Sequence, residues 1–196
     1  MMLTWSRMVK AGLLAMMAPL AACATADTER PLLAATGFAG RFVDNNFDEL
    51  VDPSGIDAEE AGVVGLAVSR RIAEPIDGLD LEIEAQIVRH FGGQDHWEAN
   101  IPVIARWNEF PWDTTVDTSA AFGVGLSLAS EDPALERQIE GDTSAVMAYW
   151  VAELEAGPPG SDWSVVARIH HRSTAFGLFG EDGGANVLVL GLRKRF

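Results

Sequence analysis

The stretch Arg168-Ile169-His170-His171-Arg172-Ser173 holds the residue types of a hydrolytic site. In an extended strand, residues two apart lie on one side, roughly 6.5–7 Å apart at the backbone. His171 and Ser173 have that spacing, so the imidazole can reach the hydroxyl and act as its base. A third polar residue falls near them. Phe196, Leu192, Leu190 and Leu188 define an even-numbered row on the last strand, and Asn186 continues it. If that strand runs antiparallel to the one before, Asn186 lands beside His171 and Ser173. Backbone N–H groups around Thr174 and Ala175 are the nearest donors for an oxyanion on an attacked carbonyl. A strand that ends in polar residues at a water boundary has the same spacing, so the pair alone leaves both readings open.

The elements that must position these residues are strands. Helical periodicity is nearly absent, apart from a short stretch at 132–141. Period-two alternation recurs along the chain. Leu79, Leu81, Ile83, Ala85 and Ile87 alternate with Asp80, Glu82, Glu84 and Gln86. Further rows begin at Trp97, Val146, Trp163 and Leu188, and weaker ones span 36–43, 62–72 and 120–128. Together they predict eight strands of the length that crosses a bilayer when tilted. The connections at 45–61, 129–142 and 174–185 are long, while those at 74–78, 108–111 and 157–160 are tight and marked by Pro or Gly. That alternation fits an outer-membrane barrel, with short periplasmic turns and longer exterior loops. The link at Gly92-Gly93 is short where a long one is allowed.

Alternation does not say which row faces inward. A lipocalin-like barrel turns its apolar row inside, and a membrane barrel turns it outside. Three features favour the membrane. Charges crowd one row of most strands. Trp107, Trp112 and Trp163 sit near the tight-turn ends, where an aromatic girdle belongs. The chain ends on a strand closing at Phe196, although Lys194 stands in the same row. The row of His171 and Ser173 is then the lipid-facing one, where unpartnered polar groups are costly unless they sit at the headgroup level.

The 196 residues suit one domain plus a processed leader, and a formal charge of −15 disfavours nucleic acid as a partner. One cysteine excludes a disulfide framework and a Cys-rich zinc site. Residues 1–23 read as an export signal: Arg7 and Lys10 precede an uncharged apolar stretch ending Leu20-Ala21-Ala22-Cys23. That ending resembles a bacterial lipobox, with Cys23 the lipidated residue. An ordinary cleavage after Ala24-Thr25-Ala26 is the alternative. The barrel domain is placed at 33–196.

The segment RIHHRSTAFGLFGEDGGANVLVLGLRKRF, 168–196, resembles the C-terminal end of the PagL family of outer-membrane lipid A 3-O-deacylases and their acyloxyacyl-hydrolase-like relatives. That family carries a His-x-Ser motif on its seventh strand, then a Gly-containing loop and a final strand ending in an aromatic residue. The resemblance implies Ser173 as nucleophile and His171 as general base. Thr174 stands where the family usually has Asn. The family's third member is often Glu near the start of the eighth strand; Asn186 matches that place best, with Glu181 and Asp182 earlier in the loop. An asparagine orients a histidine by accepting its N–H, and stabilises an imidazolium less than a carboxylate does. The implied partner is lipid A, lipopolysaccharide or another acylated membrane lipid, and the implied chemistry is ester hydrolysis without a cofactor or metal.

Other polar clusters read as structural. Asp80, Glu82, Glu84, Glu98, Glu153, Arg106, Arg168 and His170 fill the lumen as paired charges. His90 and His96 flank Gly92-Gly93 with Asp95 between them; two histidines and an acid can bind a metal, but no convincing third ligand is evident, and they are read as rim residues. Gly183-Gly184 is read as loop. The expected protein is thus an all-β, eight-stranded antiparallel transmembrane barrel in a bacterial outer membrane, acting as a serine esterase. A non-catalytic barrel and a tethered lipocalin-like carrier are the alternatives. Mass spectrometry of the mature N-terminal peptide tests the leader: a diacylated Cys23 is expected, and an unmodified terminus at Asp27 would show an ordinary signal peptide.

Overall fold

A computed structural model describes residues 31–43, 58–140, 143–175, 177–179 and 184–196. The expectations for Cys23, Glu181, Asp182 and the leader lie outside them. Eight strands follow in order: β1 Leu33–Val43, β2 Ala58–Ile76, β3 Leu79–Gly92, β4 Trp97–Trp107, β5 Asp117–Ala129, β6 Val146–Gly157, β7 Trp163–Ser173 and β8 Gly184–Arg195. Each pairs antiparallel with its neighbours in sequence, and β8 pairs with β1, which closes the barrel. A short helix, α1 Ala134–Glu140, interrupts the β5–β6 connection.

The connections differ in two places from the lengths expected. β2 is longer than its apolar row, running from Ala58 to Ile76 with register shifts past Arg71 and Ala73. The β4–β5 link extends over 108–116 rather than 108–111. Its turn is held by Asp113, whose carboxylate accepts the N–H groups of Phe110 and Thr118 at 2.6 and 3.2 Å. By contrast β2 and β3 are joined by Asp77-Gly78 alone, with Gly78 at φ 81°, a conformation glycine adopts without steric cost.

The two faces settle the direction of the alternation. Leu66, Val124, Leu154, Leu190 and Leu192 are exposed on the outer wall, Leu190 to 67%. Glu82, Glu84, Glu98, Arg106, Glu153, Arg168 and His170 are buried inside. A lipocalin-like carrier is therefore corrected: it needs an apolar interior, whereas this lumen is filled with charge and the apolar row points out. Trp107, Trp112, Trp163 and Phe196 are exposed at the tight-turn end, and Phe91 and Trp97 at the other. Lys194 sits over the rings of Trp163 and Phe196, at 5.1 and 5.5 Å, so a cation in the outward row rests on the girdle.

The lumen is one connected polar network beside an apolar patch. Arg106 donates to Glu82, Glu153, Glu155 and Ser119 at 2.7–3.1 Å. Arg168 donates to Glu153 and Glu84, and Arg193 to Glu82. Farther up, Gln86 bonds Glu84 and Tyr149, and Asn100 bonds Gln86. Phe38, Phe42, Val63, Val88, Val187 and Val189 pack beside this network with Leu135 of α1. Phe38 and Phe42 thus turn inward, packed with Ala61, Val63 and Ala67 of β2, and the Arg168 guanidinium lies over the Phe38 ring at 5.5 Å. A buried pair costs little when both partners are present and much when one is removed. Arg106→Met should therefore destabilise the barrel by about 3–5 kcal/mol. Urea unfolding in lipid vesicles measures it, and an unchanged midpoint would show that the carboxylates are satisfied without Arg106.

Candidate active site

His171 and Ser173 lie on the outer face of β7 at its long-loop end, with His170 and Arg172 turned inward between them. Register places His171 opposite Asn186 on β8 and Trp150 on β6, and Ser173 opposite Gly184 and Ala148. His171 Nδ1 lies 2.7 Å from Asn186 Oδ1. The amide oxygen can only accept, so Nδ1 carries the proton and Nε2 keeps its lone pair. That is the tautomer a general base needs. The Trp150 ring stacks on the other side of the imidazole, centroids 4.5 Å apart, and Phe122 lies against Trp150.

Gly184 makes room for this arrangement. A Cβ at that position would lie 3.2 Å from His171 Cε1, 3.5 Å from Nε2 and 2.9 Å from the Arg172 carbonyl oxygen. The Nε2 edge of the ring therefore leans over the residue that pairs with Ser173. Gly184 opens β8 and does not belong to a loop, which corrects the reading of Gly183-Gly184 at that residue. Neither Gly184 nor Trp150 stands out in the sequence; only the β6–β7–β8 register singles them out.

Ser173 Oγ accepts the Ala175 N–H at 3.0 Å. Ala175 has φ 52°, a left-handed conformation uncommon for residues with a Cβ, and its turn brings that N–H back to the hydroxyl. Thr174 is buried, and its carbonyl accepts the Phe179 N–H at 3.0 Å. The structure thus brings His171 and Asn186 into direct contact, and Ser173 and Ala175 likewise. No Ser173–His171 hydrogen bond occurs among the described residues. Apo sites often keep such bonds long until substrate is bound.

Of the remaining polar candidates, Asp95 turns away from the histidines and pairs with Arg89. His90 instead contacts Glu98, its Nε2 2.6 Å from Oε2, and His170 Nε2 reaches the other oxygen of Glu98 at 2.9 Å. The inward row at the mouth ends with Arg172, which donates to Glu136 of α1 at 2.5 Å and to Ser127 at 2.9 Å. This ties α1 to the strand that carries His171.

The architecture is that of a closed eight-stranded barrel of the outer-membrane type, with a polar constellation on its outer rim. No protein-family model matches the chain, and no curated protein matches it. Among solved structures it is similar to the outer membrane enzyme PagL, at 14% identity and a TM-score of 0.55, over 83% of this chain and 99% of that one. It is likewise similar to Neisserial surface protein A (NspA), at 11% identity and a TM-score of 0.50, over 84% of this chain and 97% of that one. At these identities the likeness is one of fold.

The Asn186 contact is testable without any substrate. Nitrogen NMR of histidine-labelled barrel, with His171 assigned by its loss in His171→Gln, should show the Nδ1–H tautomer. Asn186→Leu should return His171 toward the Nε2–H form that free imidazole prefers. An Nε2–H signal in the unsubstituted protein would remove Asn186 as the orienting group.

Proposed function

We propose that the protein is a serine esterase of the bacterial outer membrane that removes an ester-linked acyl chain from lipid A or a related acylated lipid. The observation that carries this reading is the His171–Asn186 contact on the lipid-facing rim, which leaves a bare Nε2 directed toward the level of Ser173. A rim that merely ended in polar residues would not need an imidazole held by a hydrogen bond at one edge and a ring stack on its face. The likeness to PagL, described as an outer membrane enzyme, is consistent with it at the level of fold.

In this reading the substrate arrives sideways from the outer leaflet, because the site faces lipid rather than the lumen. Ser173 Oγ attacks the ester carbonyl carbon while His171 Nε2 takes the hydroxyl proton. The carbonyl π electrons move onto oxygen, and the Ala175 N–H, already at the reacting serine, and the Thr174 N–H are the donors assigned to that charge. Collapse breaks the bond to the sugar oxygen, which leaves with the proton from His171. Water then attacks the acyl-serine with His171 again as base, releasing the fatty acid and restoring Ser173. Asn186 holds the imidazole and carries no charge, so it orients the base more than it stabilises the imidazolium.

The likeness to NspA, described as a surface protein, keeps a second reading in view: a barrel without catalysis whose acidic loops meet a partner. Lipid A mass spectra from cells with and without the protein separate the two. Ser173→Ala and His171→Ala should each abolish acyl release while the barrel still shifts on heat-modifiable gels. The double variant should be little worse than either single one, since the pair acts as a unit. His170→Ala should not abolish release, because that side chain bonds Glu98 in the lumen. Full activity in Ser173→Ala would overturn the esterase reading, and no activity from the unaltered protein on any acylated lipid would favour the inert barrel.

A further inference from the structure

Behind the outward site, the mouth of the lumen holds a second cluster that the esterase reading does not use. His90 ends the inward row of β3, and His96 stands opposite it just before β4, the two linked by a His90 N–H to His96 carbonyl bond of 2.9 Å. Glu98 follows His96 by two residues, on the same inward face. All three side chains are buried, at 0%, 3% and 1% exposure. One ring nitrogen of each histidine and a Glu98 carboxylate oxygen lie within 4.8 Å of one another. We propose that His90, His96 and Glu98 form a binding site for a divalent transition cation of the zinc class, inside the barrel mouth.

Two buried atoms point to an absent partner. His96 Nε2 and Gln94 Oε1 have no hydrogen-bond partner among the described residues, although neither meets solvent. Asn100 Oδ1, Glu136 Oε1 and two nitrogens of Arg193 are likewise buried without a hydrogen-bond partner among the described residues, but of all these only His96 Nε2 is a ring nitrogen beside a second histidine and a carboxylate. Gln94 Nε2 lies 3.2 Å from His90 Nδ1, so in this arrangement the amide donates to the ring and His90 Nε2–H donates to Glu98. A single cation answers the deficit at His96 Nε2; at Gln94 the unpartnered place passes from Oε1 to Nε2 when the amide turns. Turning the Gln94 amide by 180° lets Oε1 accept from His90 Nδ1–H, which frees the Nε2 lone pair for the ion. His96 contributes its own ring nitrogen. The proton formerly between His90 Nε2 and Glu98 moves to His90 Nδ1 through solvent exchange, so no net proton is released by His90.

The surrounding groups fit the support that such sites need. Glu98 accepts His170 Nε2–H on one oxygen at 2.9 Å, which fixes the carboxylate and leaves the other oxygen facing His90. Tyr149 in turn lies 3.2 Å from His170 Nδ1. Second-layer bonds of this kind orient the ligands. The charge of Arg172, on the same inward row as His170, is taken up by Glu136. Two imidazoles and one carboxylate are a borderline-soft donor set, suited to zinc-class ions and poorly suited to calcium or magnesium. Besides the Gln94 turn and the His90 proton shift, the rings must move. His90 and His96 stack at 4.0 Å and 15°, and parallel rings cannot aim both lone pairs at one ion. The His96 ring must turn out of the stack and His90 Nε2 must draw back from Glu98 Oε2, now 2.6 Å away, so that the donors stand about 3.4 Å from each other around metal–ligand bonds of about 2.0–2.2 Å.

The test uses the full-length folded barrel in detergent, stripped with chelator and dialysed against Zn2+, with Co2+ as a spectroscopic probe. One ion per chain is expected, with Co2+ bands of nitrogen and oxygen ligation and with nitrogen shifts at His90 and His96 but not at His171. His90→Ala and His96→Ala should each weaken binding by more than the roughly 10–100-fold loss expected for the supporting change His170→Ala. His171→Ala should bind as the unaltered protein does, which separates this site from the rim. Chelation should leave any esterase activity intact, so failure of one proposal is distinguishable from failure of the other. No stoichiometric binding at submillimolar Zn2+, or undiminished affinity in His96→Ala, would overturn the proposal. If a histidine variant does not fold, the nitrogen shifts of the unaltered protein still decide it: shifts at His171 alone would place the ion on the rim.

Discussion

Arg168 is the residue on which the rest of the structure turns. Its guanidinium lies in the lumen between Glu153 and Glu84, both within about 3 Å, and all three side chains are buried. A narrow eight-stranded barrel has no space for water to solvate stray charges, so each must meet its opposite across the lumen. Arg168 cannot turn outward without leaving Glu84 with Gln86 as its remaining partner here and Glu153 with Arg106, and placing a cation in hydrocarbon. Its inward position therefore fixes the parity of the whole of β7. Once Arg168 points in, His170 and Arg172 point in, and His171 and Ser173 must point out. The location of the candidate site on the lipid face is thus a consequence of an ion network that takes no part in its chemistry.

The same constraint explains how much could be read from the sequence. Where charged or polar residues recur in one row, as in β3, β4, β6 and β7, the rows were legible, and their direction followed from the density of charge, the Trp positions and the aromatic end at Phe196. β1 was harder. Phe38 and Phe42 are apolar yet inward, and nothing in their local pattern distinguishes a lumen filler from a girdle residue. Asn186 was legible by counting parity back from Phe196, since β8 has no bulge in its pairing with β7. Gly184 was not, because a glycine pair reads as a turn unless the strand register is known. Trp150 was hidden for another reason: an aromatic residue in an apolar row looks like every other lipid-facing side chain until its cross-strand neighbour proves to be His171. Glu98 was visible as a lumen charge, but its contact with His90 depends on the tight β3–β4 connection, whose register places His90 opposite His96.

The rim site shows how a flat β-surface can hold a side chain rigidly. On a helix an imidazole is steadied by residues of its own turn; on a strand it must be steadied by its neighbours across the sheet. His171 has Asn186 on one side and Trp150 on the other, and the missing Cβ of Gly184 gives its Nε2 edge room along the strand. The hydrogen bond fixes the tautomer, the stack fixes the ring plane, and the glycine fixes which way the free nitrogen leans. Three strands are needed for this, which is why no single segment of sequence contains the site.

The lumen cluster stands on β3, β4 and their connection, and β7 touches it through His170 while carrying His171 and Ser173 on its outer face. His170 and Arg172 serve the lumen, while His171 and Ser173 serve the rim, in strict alternation. What they do share is the strand itself. Arg172 anchors β7 to α1 through Glu136, and His170 anchors it to β4 through Glu98. These inward anchors hold the backbone from which the outward pair projects, at the end of the strand where no further residue of β7 pairs beyond Ser173. A strand end normally frays, because its last backbone groups lack neighbours on one side. Here two buried side-chain contacts, placed at alternate residues, restrain the end of the strand. Precision on the lipid face is in this way a property of the charged interior.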